Sequence, residues 1–173
     1  MKKGISSNFN AFIAVAPEED PKAGALMGPW NPWLHSPQFG KPIRDRTKAL
    51  AMGATLPANV RRIAIPVTGA HFDCAYEIYA HIAVAERQAM SQTRLATLVF
   101  GSRPSDLSAE EGVAYDVTFG LVNGGVLPEP ACRLAAETFG QNGTNASLPC
   151  RPLLLGVDEL ERLQRARTRV GII

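Results

Sequence analysis

The sequence predicts an all-α protein, a compact bundle of about six to seven helices behind a long Pro/Gly-rich N-terminal arm. Apolar residues recur three and four positions apart, and the segment from Asp73 to about Met90 shows no strand alternation. Helix-starting residues precede those segments, as at Thr55, Ser91, Ser108 and Pro128, and glycines follow them, as at Gly124 and Gly140.

Residues 17–42 hold six prolines, three glycines and both tryptophans, which predicts an extended lead-in pinned to the body by Trp30, Trp33 and Leu34. Ile43 to Ala54 has helical composition. Thr55-Leu56-Pro57 predicts the next start, with Thr55 as cap and Pro57 in the first turn. Val60, Ile63, Ala64 and Val67 follow at helical spacing, and Pro66 and Gly69 predict a kink or an early stop. Asp73 is the expected cap of a helix reaching about Met90, with Tyr76, Ala80, Ala83 and Val84 as core candidates.

Ser91 is expected to cap a short helix through Phe100, followed by a loop over 101–105. Ser108 with Glu111 three residues on forms a capping box, opening a helix that Gly124-Gly125 stops near Asn123. Pro128 opens a further helix through Phe139, ended by Gly140. Residues 141–152 read as loop, and Asp158 to Arg169 as a polar helix at the surface or between subunits. The whole reads as one domain: arm 1–42, helical core 43–140 and a C-terminal segment 141–173.

With 173 residues, 46% hydrophobic and 20% charged, the chain is long enough for a real core and argues against disorder or a fibre. A net charge of +2 gives no reason to expect nucleic acid, and no apolar run reaches the ~18 residues of a membrane span. Cys74, Cys132 and Cys150 are too few and too scattered for a disulfide framework, which predicts a reducing, cytoplasmic compartment and inert, buried thiols at 132 and 150. The apolar run Phe12 to Ala16 is too short for a signal peptide, so it is expected to be mature sequence.

The chemistry-bearing segment is His71-Phe-Asp-Cys74-Ala-Tyr76-Glu77-Ile-Tyr79-Ala-His81. On a helix, Cys74, Glu77 and His81 fall three and four residues apart and share one face. A carboxylate one turn before an imidazole can hold the ring in one tautomer for proton transfer, although the same spacing also fits a surface ion pair. His71, Cys74, Glu77 and His81 are all possible metal ligands, but their spacing matches no zinc motif, so no metal is expected.

Several spaced motifs resemble the carboxymuconolactone decarboxylase and alkylhydroperoxidase D family: Arg61-Arg62-Ile63-Ala64-Ile65, then Cys74-Ala-Tyr76-Glu77-Ile-Tyr79-Ala-His81, with Gly28-Pro-Trp30 to His35-Ser36-Pro37 upstream. Residues 110–126 and on to Phe139-Gly140 resemble that family's next two helices, so the likeness covers about residues 27–140. It implies an all-helical fold assembling as homo-trimers or hexamers, with small-molecule sites near subunit contacts.

In the family's peroxidase branch, a Cys-x-x-Cys pair works with a His four residues later and an upstream Glu. Here Cys74 and His81 match, but Glu77 stands at the second Cys and Arg62 at the Glu, so an internal disulfide cycle cannot run. The decarboxylase-like branch fits Tyr76-Glu77-x-Tyr79-x-His81 better.

The resemblance thus implies a cofactor-independent enzyme acting on a small anionic lactone or ring compound. His81 would deliver the proton, Glu77 would orient it, and Arg62 would anchor a carboxylate; Tyr76, His71 and His35 would border the site. A thiol-dependent peroxidase using Cys74 and a non-catalytic oligomeric module are the alternatives. After Gly143 the chain departs from the family pattern: in place of the two further helices the resemblance implies, the last of them apolar and containing Tyr, it carries Pro149 and Pro152 and then a charged helix.

Overall fold

A computed structural model describes residues 33–52, 56–87, 89–124 and 126–147, and among these the chain forms six α-helices and no strand. They are α1 (Pro37–Met52), α2 (Ala58–His71), α3 (Ala75–Arg87), α4 (Gln92–Val99), α5 (Ala109–Asn123) and α6 (Glu129–Ser147). The expected arm before Trp33, the expected cap Thr55, Cys150 and the expected polar helix 158–169 lie outside the described residues.

Helix α2 is the hub, packing against α5, α3 and α4, while α5 also packs on α6. Its Val60, Ile63 and Val67 meet Leu98 of α4 and Ala114 and Tyr115 of α5, with Leu56 closing the cluster. A second cluster joins Val117 and Leu121 of α5 to Ala135 of α6, and Phe139 touches both. Burying this apolar set on one stripe of each helix is what fixes their mutual arrangement.

Several boundaries differ from the sequence expectation. Helix α1 begins at Pro37, inside the stretch read as lead-in, because Pro37 suits the first helical position and the Ser36 carbonyl takes the first bonds, from Phe39 N at 3.0 Å and Gly40 N at 2.9 Å. Trp33 is buried, and a Cβ at Gly40 would fall 2.5 Å from its carbonyl oxygen, so only glycine lets the helix fold back on it.

Helix α2 starts after Pro57, which caps it without a side-chain bond, and it runs through Pro66 to His71 with no early stop. Pro66 is among the most deeply buried side chains, so packing on all sides offsets the missing backbone donor. Residues 141–147, read as loop, are helical; α6 turns sharply at Gly140 (φ 67°, ψ 170°) and resumes.

Three helices end in the same way. At Asp73 (φ 53°), Ala89 (φ 62°) and Gly101 (φ 73°) the chain enters the left-handed region, and the next N–H reaches back five residues. Those bonds run from Cys74 N to Gly69 O at 2.8 Å, Met90 N to Ala85 O at 3.0 Å and Ser102 N to Thr97 O at 3.0 Å. These are Schellman caps, which satisfy the last carbonyls of α2, α3 and α4.

The starts of α4 and α5 are those the sequence predicts. Ser91 Oγ accepts from Arg94 N, and the Ser108/Glu111 capping box is complete, with Glu111 N donating to Ser108 Oγ at 3.3 Å and Ser108 N donating to Glu111 Oε2 at 2.9 Å. Among the described residues no helix is long and apolar enough to cross a membrane.

Candidate functional site

The turn between α2 and α3 builds the site. Only residues 72–74 join the two helices, so Asp73 is spent on the left-handed reversal and is not the cap of α3 that the sequence predicts. Cys74 takes the cap position instead: its N–H bonds back to Gly69 and its carbonyl accepts from Ile78 N at 3.0 Å. The chain reverses most closely at Gly69, where an added Cβ would sit 3.3 Å from Ile78 Cγ1 and 3.8 Å from Glu77 Cβ.

Glu77 therefore lies in the first turn of α3, where a negative charge suits the positive helix end, and it is pressed against α2 to 9% exposure. One turn later His81 turns its Nε2 to Glu77 Oε2 at 3.1 Å, with a quarter of its side chain, 25%, open to solvent. The pair is thus a half-buried hydrogen-bonded couple with the imidazole on the wetter side.

Cys74 stands one turn before Glu77, but its side chain has no exposure at all, 0%. Arg62 is half-buried on α2, seven residues before Gly69 and so on the same stripe, the one that faces α3. Its Nε is buried with no hydrogen-bond partner among the described residues. Tyr76 is half-buried on α3 with a buried hydroxyl oxygen.

His71 and His35 are exposed; His71 sets its ring edge-on to Phe72 with centroids 4.7 Å apart. The structure thus brings Glu77 and His81 into direct contact and places Cys74 next to them, while His71 and His35 project to solvent. Among the described residues no group of three or more His, Cys, Asp or Glu is placed to hold a metal ion.

Sequence reasoning missed Gly69, the residue that lets the two helices touch. Its signal was faint: a glycine within the last turn of a helix reads as a terminator, and here it is a contact point as well. Cys132, read as buried, is exposed in the first turn of α6, its Sγ donating weakly to Leu127 O at 3.7 Å.

In comparison with known proteins, no family model, curated protein or solved structure matches the chain.

Proposed function

We propose that the chain is a cofactor-independent acid–base enzyme of the carboxymuconolactone decarboxylase kind, acting on a small anionic lactone or ring compound. The observation that carries this reading is the 3.1 Å contact between His81 Nε2 and Glu77 Oε2 on a half-buried helix face. A carboxylate taken from water accepts a hydrogen bond from Nε2–H and holds the ring in one tautomer for proton transfer.

In the reaction, the bond between ring carbon and carboxylate breaks, CO2 leaves, and the electron pair spreads into the unsaturated lactone. The imidazolium of His81 then gives its proton to the ring carbon, and solvent restores it. Arg62 supports the anionic substrate class, because its buried Nε has no hydrogen-bond partner among the described residues and a guanidinium suits a carboxylate bidentately. Assembly as a homo-oligomer would complete the pocket around this wall.

Thiol peroxidase chemistry at Cys74 is the poorer reading, since reactive thiols are partly open to solvent and this one is sealed. The test is a decarboxylation assay on carboxymuconolactone with three variants. His81→Ala and Glu77→Ala are expected to lower kcat by about 10²- to 10⁴-fold, the range of a lost acid–base group, while Cys74→Ser keeps activity. Full activity in the His81 variant would reject the reading.

A further inference from the structure

We propose that Gly69 is a positioning residue for the Glu77–His81 pair, a role that rests on the acid–base reading above. Three observations converge on it. A Cβ at this position would stand 3.3 Å from Ile78 Cγ1, 3.8 Å from Glu77 Cβ and 3.9 Å from Ile78 N, closer at the first than packed carbons normally come. The Gly69 carbonyl accepts the Cys74 N–H at 2.8 Å, so the same residue anchors the cap of α3. Glu77, directly across the contact, is buried although it carries a carboxylate.

These facts form one device. Without a side chain at 69, the first turn of α3 lies flat on the last turn of α2, and that contact excludes water from one side of Glu77. A carboxylate confined in this way has fewer rotamers to lose and a drier surrounding, and both strengthen its bond to His81. A methyl group at 69 pushes against Ile78 and lifts the turn that carries Glu77, so water enters beside the carboxylate. Gly69 touches no reacting atom and acts only through Glu77.

The experiment reads the pair directly, by NMR measurement of the solvent-exchange rate of the His81 Nε2 proton, without substrate. Glu77→Gln sets the scale for a weakened pair. Gly69→Ala is expected to speed exchange by about tenfold, in the direction of that variant, as befits a hydrogen bond of ordinary strength.

Gly120→Ala is the control, because a Cβ there would stand 2.8 Å from Leu127 Cδ2, a close contact of α5 away from the pair. It is expected to leave His81 exchange unchanged. Adding Ile78→Ala to Gly69→Ala removes the obstructing Cγ1 and is expected to restore the slow exchange; this double variant also carries the test if Gly69→Ala alone does not fold.

Wild-type exchange in Gly69→Ala, equal acceleration by Gly120→Ala, or continued fast exchange in the double variant overturns the positioning role. None of these outcomes bears on whether His81 performs catalysis, which the decarboxylation assay decides separately. Unchanged exchange in Glu77→Gln instead removes the pair itself, and both proposals with it.

Discussion

Tyr115 reaches from the second turn of α5 to donate its hydroxyl to the carbonyl of Gly101 at 3.1 Å, tying α5 to the cap of α4. Its ring lies in the central cluster and stacks on Phe119, with centroids 5.8 Å apart and planes 13° from parallel. Burial raises the phenol above its ordinary 10.0, and the Asp116 charge adds to the shift, against a smaller opposing effect of Arg103. The fold therefore favours the neutral phenol: its contribution is complete below pH 10 and is lost as pH rises through the raised folded value. Urea denaturation from pH 8 to 11 is expected to show stability falling at the alkaline end, with a shallower fall in Tyr115→Phe. At neutral pH that substitution is expected to cost about 1 kcal/mol for the hydrogen bond.

Ala89 and Gly101 occupy equivalent positions in two Schellman caps, at φ 62° and 73°. A Cβ in the left-handed region costs about 1 kcal/mol, so Ala89→Gly is expected to stabilise the protein by up to that amount and Gly101→Ala to destabilise it similarly. Chemical denaturation midpoints of the two variants, moving in opposite directions, check this. A shared direction would show that the caps are not equivalent.

Arg94 links α4 to the start of α5. Its Nε donates to both Asp106 carboxylate oxygens at 3.1 Å, and its Nη1 lies 3.3 Å from Glu111 Oε1. Glu111 thus serves the capping box and Arg94 together. Ser108→Ala removes only the cap and is expected to cost about 1 kcal/mol. Glu111→Ala also strips a half-buried guanidinium of one partner and is expected to cost more, about 2 to 3 kcal/mol. Thermal denaturation ranks the two.

The exposed and the sealed thiol are expected to differ in chemistry. Iodoacetamide followed by peptide mass mapping should label Cys132 quickly in the folded protein and Cys74 only on unfolding. Fast labelling of Cys74 would reopen the peroxide chemistry.

Much of this arrangement was legible in the sequence, for local reasons. Ser91, Ser108 and Glu111 act within three or four residues of themselves, so their caps could be read directly. The Glu77 and His81 contact was equally legible, being a single helical turn. Pro66 misled because its penalty is local whereas its burial is tertiary. Asp73 misled because a residue that suits a helix start also tolerates the left-handed turn, and the short connection required the latter. The face each helix buries against its neighbours, and with it the exposure of Cys132 and the tight seat of Gly69, depends on which helices meet, and no periodicity states that.

Gly140 combines φ 67° with ψ 170°, a backbone state that is essentially closed to any residue with a side chain. The heading of Gln141–Ser147 relative to the rest of α6 is accordingly set at one α-carbon. Selection acting there would have a narrow gate: any replacement of that hydrogen reroutes the backbone downstream while leaving the upstream packing of Ala135 and Phe139 untouched.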